Sequence, residues 1–284
     1  MKKSYLTFYI LLVPVLLWLV LLIVLPHIDL LISSFKFEND DEIMVWSLNN
    51  YLAFFEDDIY WLTFVKTAFY SIGVTVLAFI ITFPVAFYLS KVVAKKYGTF
   101  MTLLLLIPIW IGELVTIYGW MILLSDNGVI NNFLIDIGII STPIEMLYTD
   151  FSMTIGLVYV SMLFMIIPIM SALDSLDDSL IEAASDLGAS KWTIFTQIII
   201  PYSMPGIASG SIIVFMLVIG DYVAPNILGG KSSLWFTEQI YNQFLSTFNW
   251  NEGAAFGFLL LILSSTIVWA ALKLSGQKLE RVGR

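Results

Sequence analysis

Residues Ser179–Pro201, SLIEAASDLGASKWTIFTQIIIP, form a polar interruption in an otherwise strongly apolar chain. Ser179 and Glu182 have the Ser-x-x-Glu spacing of a capping box, in which each side chain satisfies a free backbone N–H at a helix start. Ala183 and Ala184 extend a short helix with good formers of little bulk. Gly188 ends it where a left-handed residue is wanted. Ser190 can cap a second helix, whose Trp192, Phe195 and Ile199 share one face at i, i+3 and i+7. Pro201 closes the segment. The expectation is two short helices with a bend between them and a small-residue surface at the bend.

Around this stretch the chain is built for a bilayer. Of 284 residues, 59% are hydrophobic and only 12% charged, with a mean hydropathy of +0.91, whereas soluble domains carry about 25% charged residues. There is no cysteine, which excludes a disulfide framework and a thiolate metal site. The single histidine, His27, follows Pro26 near the end of the first apolar run and reads as an interfacial structural residue rather than part of a metal cluster. Six runs are long enough to span: about Thr7–Ile32, Leu62–Ser90, Phe100–Leu124, Phe151–Leu173, Met204–Leu228 and Ala254–Leu274. The first begins like a secretory signal, MKKS and then apolar residues, but it is longer than a signal's apolar core and lacks a small-x-small cleavage site, so it reads as an uncleaved span. Pro14, Pro84, Pro108 and Pro168 fall inside these runs and should bend them. The expected division is 1–61, the first span with an acidic external segment; 62–275, the five-helix transmembrane domain; and a basic tail at 276–284.

Lysine and arginine set the orientation. Ten of the thirteen (Lys2, Lys3, Lys91, Lys95, Lys96, Lys191, Lys273, Lys278, Arg281 and Arg284) fall on one side, and Lys36, Lys66 and Lys231 on the other. Both termini, the 91–98 loop and the 174–203 loop are therefore expected in the cytoplasm. The first external segment is acidic, with Glu38, Asp40, Asp41, Glu42, Glu56, Asp57 and Asp58 against Lys36. It reads either as a solvated loop kept free of positive charge, or as a surface attracting a cation or a docked protein. Gly229-Gly230-Lys231-Ser232 imitates the end of a phosphate-binding loop, but Pro225 stands where that motif requires glycine, and the side is external. Energy from ATP would have to come from another polypeptide.

Apart from Asp29 at the outer end of the first span, two carboxylates fall within the spans. Glu113 lies midway along the third and Asp221 toward the external end of the fifth. A charge at mid-bilayer costs about 2.5–3.5 kcal/mol on insertion scales, so it normally faces a cavity or a partner. On one continuous helix Trp110, Ile117 and Trp120 would share the face of Glu113, with Tyr118 further round and Gly112 and Gly119 able to loosen the turn; Tyr222 adjoins Asp221. Carboxylates beside aromatic faces suit an organic cation, through ion pairing and cation–π attraction. The plainer reading is a carboxylate bonded to a neighbouring helix, with aromatics that pack or form an interfacial belt.

The spacing of Glu182, Ala183, Ala184, Gly188, Ile198 and Pro201 resembles the EAA loop of permease subunits in ATP-binding-cassette (ABC) importers, with Ile200 where leucine is usual. Further segments are similar to the first permease of bacterial polyamine (spermidine/putrescine) importers: YGWMILLSDNGVINNFL at 118–134, Thr142-Pro143-Ile144, GLVYV at 156–160, LGAS at 187–190, MPGI at 204–207, and Asn249-Trp250 before Gly253-Ala254-Ala255. The resemblance implies an all-α membrane protein of six transmembrane helices, the type I importer permease fold, in the bacterial inner membrane. It implies a coupling helix in which Glu182 anchors, Ala183 and Ala184 permit close approach and Gly188 sets the bend, docked on an ABC ATPase dimer. A second permease subunit and an extracytoplasmic substrate-binding protein are the other implied partners, with no nucleic acid, no cofactor and no covalent chemistry in this chain. Glu113, Asp221, Trp110, Tyr118, Trp120 and Tyr222 are the candidate pathway residues. Alternatives left open are the same permease type for another organic cation or an iron complex, a secondary transporter, which the lack of an internal repeat disfavours, and an intramembrane enzyme, for which no catalytic pairing stands out.

Overall fold

The computed structural model describes residues 2–39, 43–230 and 233–274. Lys231, the acids at 40–42 and the basic tail 276–284, all part of the charge pattern above, lie outside the described residues. In chain order the helices are α1 (Leu11–Ser34, the apolar part of a helix that starts at Lys2), α2 (Asn49–Glu56), α3 (Asp58–Val92), α4 (Lys96–Ile111), α5 (Glu113–Leu124), α6 (Val129–Asp136), α7 (Asp150–Asp174), α8 (Asp178–Asp186), α9 (Lys191–Ile219), α10 (Phe236–Leu245) and α11 (Trp250–Leu274). A strand pair, β1 (Lys36–Glu38) and β2 (Met44–Trp46), follows α1 in antiparallel register, a small addition to the all-helical expectation. Helices dominate because in hydrocarbon each segment has to satisfy its own backbone groups. Among the described residues five helices are long and apolar enough to cross a membrane, and a sixth crossing results if the bent pair from Lys96 to Ile111 and Glu113 to Asp136 counts as one span.

Two expectations about the spans are corrected. The third is not one helix: a 94° bend separates α4 from α5, at Gly112 with φ 83° and ψ 148°. The fifth begins at Lys191 and ends at Ile219, well before Leu228. Pro201 does not close the EAA segment, because the helix runs straight through it. The reason is a widened π turn at Phe195–Ile199 just before it, as at Val20–Val24 before Pro26. Proline lacks an N–H and its ring collides with the carbonyl four residues back, and a widened turn makes room for both defects.

The chain folds as two compact units. One holds the residues up to Phe64 with Glu238–Ile262; the other holds Val65–Thr237 with the residues from Leu263 on. In the first, Phe54 is buried among Phe55, Trp61, Phe64 and Phe256, with ring centroids 4.9 to 6.3 Å apart across the cluster. Asn50 holds the end of α1 to β1 by donating to the carbonyls of Ser34 and Lys36 at 2.9 and 2.8 Å. Gln243 donates to Tyr60 and to Glu252, both at 3.1 Å.

In the second unit α7 and α9 form the centre. Lipid tails are as apolar as leucine, so close packing rather than water exclusion holds such helices together. Gly206 and Gly210 supply it: a Cβ on Gly206 would stand 2.4 Å from the Pro168 carbonyl oxygen, and one on Gly210 3.1 Å from Met165 Cγ. Met153, Leu157, Met165, Ile169 and Leu173 of α7 and Val214 and Val218 of α9 are buried around this seam. The Lys66 ammonium closes one end, donating to Asp150 at 3.1 Å and to the Ser233 carbonyl at 2.7 Å.

Candidate functional site

The break at Gly112 is what builds the site. Its φ and ψ lie in a region essentially reserved to glycine, so the chain leaves the 3₁₀ turn Ile107–Ile111 and restarts as α5 with Glu113 as the first helical residue. A carboxylate at that position is favoured by the positive dipole end of the helix. Thr116 supports the turn by donating its hydroxyl to the Gly112 carbonyl at 3.0 Å.

Asp221 sits just past the end of α9 and also starts a helical turn. Its Oδ1 accepts from the Val223 and Ala224 N–H groups at 2.7 and 3.3 Å, while its backbone carbonyl accepts from Thr237 at 2.6 Å. The capping bonds converge on one carboxylate oxygen and leave the other uncommitted to them. Glu113 and Asp221 line one cavity of about 440 Å³ together with Thr116, Tyr159, Phe164, Tyr222 and apolar residues of α7 and α9. The two carboxyls are close enough for their charges to act on each other. Like charges at that range repel unless a cation or a shared proton lies between them.

The expected ring of aromatics is only partly assembled. Tyr222 lines the cavity; Trp110, Tyr118 and Trp120 do not. The shared face of Trp110 and Glu113 presupposed a continuous helix, and the bend at Gly112 removes that relation; Trp110 is 89% exposed on the preceding turn. Trp120 instead packs edge-on against Tyr159, centroids 5.4 Å apart. Tyr159, within the GLVYV segment, and Phe164 are not singled out by charge or spacing, because both sit in a long, mostly apolar helix. Among the described residues no group of three or more His, Asp or Glu is placed to hold a metal ion.

The segment that resembles the EAA loop lies elsewhere in the same unit. The capping-box expectation is corrected: α8 begins earlier, with Asp177 as its cap, accepting from the Ser179 N–H at 3.0 Å, and Ser179 lies inside the helix. A carboxylate is a stronger acceptor than a hydroxyl, and it precedes Ser179 in the chain. The helix end is as expected. Gly188 has φ +82°, its N–H reaches the Ser185 carbonyl at 2.9 Å, and the Ala189 N–H reaches that of Ala184 at 3.0 Å, the paired bonds of a Schellman motif. Ser190 caps α9 through the Thr193 N–H at 3.1 Å. Ile181, Ala184 and Ala189 pack on the core, while Glu182, Ala183 and Gly188 face outward with Leu180, Leu187 and Trp192, the last two 88% and 72% exposed. An exposed apolar patch of this kind suits contact with another protein or with a membrane surface.

Comparison with known proteins gives a consistent result. The spermidine/putrescine transport system permease protein PotB of Escherichia coli strain K12 is 35% identical over 268 residues, 93% of this chain and 97% of its own; the protein of the same name in Haemophilus influenzae is 33% identical, covering 93% of each chain. A chain in the crystal structure of a bacterial alginate ABC transporter, in complex with an alginate pentasaccharide-bound periplasmic protein, superposes with a TM-score of 0.79 at 21% identity, over 96% of this chain and 95% of that one. A chain of the MetNI methionine ABC transporter in inward-facing conformations gives 0.54 at 17% identity, over 80% of this chain and 100% of that one. These structural likenesses speak for the fold: a type I ABC importer permease. Residues 78–281 match the family described as binding-protein-dependent transport system inner membrane component, and the chain belongs to that family.

Proposed function

We propose that this chain is one of two membrane-spanning subunits of an ATP-driven importer that carries polyamines into the cytoplasm by alternating access. The observation that carries the substrate class is the placing of Glu113 and Asp221 on one cavity edged by Tyr159, Tyr222 and Phe164. A polyamine offers several ammonium groups on an apolar stem, which suits two carboxyls among aromatic rings. The acidic polysaccharide alginate, in whose import another solved relative is involved, would meet repulsion from the same two groups. The names of the 33–35% identical relatives point to polyamines as well.

The remaining roles follow from the loop chemistry. Glu182, Ala183, Ala184 and Gly188 form the coupling helix and its bend, docked on an ATPase subunit that hydrolyses ATP while this chain does no covalent chemistry. The bias of lysine and arginine toward that side supports its being cytoplasmic, with both termini. A second permease completes the pathway, and a binding protein delivers substrate to the opposite face; a partial match to the PotC permease of Shigella flexneri, 32% identical over 120 residues, fits a paired paralogue. The test is substrate-stimulated ATP hydrolysis by the reconstituted complex against spermidine, putrescine and other organic cations, repeated with Glu113→Gln. That variant keeps shape and hydrogen bonding but removes one charge. It should weaken stimulation by a polyamine by about 1–3 kcal/mol, the range for a bond to a charged group, with complex yield unchanged. No response to any polyamine, or an unaltered response in Glu113→Gln, refutes the reading.

A further inference from the structure

Lys91 ends α3, and its side chain is only 8% exposed. One of its bonds goes to the short link between α7 and α8 and the other to the first residue of α8: the ammonium donates to the Leu176 carbonyl at 2.6 Å and pairs with Asp178 Oδ1 at 2.7 Å. Its neighbour Ser90 donates to the Asp174 carboxylate at the end of α7. From α9, the Tyr202 hydroxyl donates to the Ser175 carbonyl at 2.9 Å. The root of α8 is thus held by the end of α3 and by Tyr202 within α9. One ammonium can do this because it has three donors. Here it meets a carbonyl just past the negative end of α7 and an acid in the first turn of α8, and both helix ends favour such charges.

We infer that Lys91 is a positioning residue for energy coupling: it ties the exposed helix α8 to α3, so that force delivered to α8 displaces the membrane-spanning helix instead of being absorbed in the 175–177 link. This rests on α8 being the ATPase-coupling helix, as proposed above. Lys91 is not among the residues that line the cavity of Glu113 and Asp221, so its removal leaves that site intact. The widened π turn Tyr88–Val92 that carries it is a structure frequent at functional positions.

The experiment uses the complete importer in proteoliposomes, with spermidine as the transported probe. Lys91→Met keeps the apolar stem and removes the ammonium. Complex yield should be unchanged and ATP hydrolysis should persist, while spermidine imported per ATP should fall by roughly 5-fold or more, the low end of typical coupling between sites. Lys91→Arg should restore most of the ratio. Asp178→Asn, at a residue whose side chain is 73% exposed, should give a smaller fall and add little to Lys91→Met, since the two share one interaction. A second readout does not depend on the substrate: ATP should change amide hydrogen exchange at residues 88–92 in the wild type and not in Lys91→Met. An unchanged import ratio with an intact ATP-dependent exchange response overturns the inference. So does loss of the complex in both Lys91→Met and Asp178→Asn, which would make the contact one of assembly. If the wild type shows the exchange response but imports no spermidine, the substrate assignment has failed and the positioning role of Lys91 has not.

Discussion

Two glycines of the second unit hold nearly the same φ, +83° at Gly112 and +82° at Gly188, yet they turn the chain by different means. Gly188 terminates a short helix on an exposed loop, and its turn is closed locally by the paired bonds to Ser185 and Ala184. Gly112 interrupts an apolar run, and it combines positive φ with an extended ψ of 148°, so the chain is redirected rather than capped. What is gained also differs. At Gly188 the bend leaves Leu187 and Trp192 exposed; at Gly112 it puts a carboxylate at the start of a helix and beside a cavity. No described atom lies within 4 Å of an added Cβ at either position. Substitution at either site therefore probes backbone conformation without steric collision.

The largest effect is expected at Gly112. Gly112→Ala forces an L-residue into a region reserved to glycine, at a cost of about 1–3 kcal/mol, and the chain can relax only by straightening the break. Glu113 would then rotate away from Asp221. Uptake should be lost or nearly so, and Gly112→Asn should fare no better, because asparagine tolerates the left-handed helical region and not an extended ψ at positive φ. Uptake assays with complex yield as control check this; an active Gly112→Ala importer would mean that the break does not shape the site.

Asparagine separates the two bends. At Gly188 the bonding is that of a left-handed cap, where asparagine is the usual substitute. Gly188→Asn should keep ATPase association and uptake close to wild type. Gly188→Val, with a β-branched side chain at positive φ, should lose most transport while still inserting, with strain of at least the 1–2 kcal/mol (roughly) expected of a non-glycine residue there. Co-purification of the ATPase and uptake by both variants measure this. If Gly188→Val couples as well as Gly188→Asn, the bend is not what presents the coupling surface.

The same contrast explains what can be read without coordinates. The coupling bend is encoded within a dozen polar and small residues whose spacing states each role: a cap, a helix, a positive-φ glycine, a second cap. Its beginning and its close differ from that reading: Asp177 outcompetes Ser179 as acceptor, which also removes the capping-box role of Glu182, and the helix continues through Pro201. The class of the protein is equally legible, because long apolar runs in a bilayer leave little choice but helices. The break at Gly112 is not. Apolar residues flank it on both sides, and glycine is common in membrane helices, so hydropathy reports one span where there are two helices at 94°. Trp110 falls on a different surface from the expected one for that reason alone. Tyr159 faces the cavity because of how α7 meets α5 and α9, a tertiary fact that periodicity in α7 cannot supply. The close approach at Gly206 and Gly210 that marks the seam of the second unit is a tertiary fact of the same kind, of a sort that small residues permit.

The smallest effect concerns how the exposed bend begins. The Ser179 backbone N–H, with its hydroxyl, holds the Asp177 carboxyl below its usual value of 3.8, and Lys91 adds a lesser pull. A carboxyl whose folded value is depressed stabilises above its unfolded value, and that contribution is lost as pH falls through the folded value. The start of α8 should therefore be unaffected by pH down to about 4, near the ordinary aspartate value, and loosen only below it. Asparagine caps about as well as aspartate and does not titrate, so Asp177→Asn is the reference. Amide exchange over residues 178–183, taken as the ratio of wild type to Asp177→Asn at each pH, should be flat through neutral and mildly acidic conditions. It should rise only once the carboxyl protonates, while residues 188–193, held by Gly188 and the hydroxyl of Ser190, keep a constant ratio. A ratio that stays flat at the start of α8 down to full protonation would remove Asp177 as the cap. A parallel rise at both ends would mean that the two turns of this loop open together, and that the local closure of Gly188 is not independent of its neighbour.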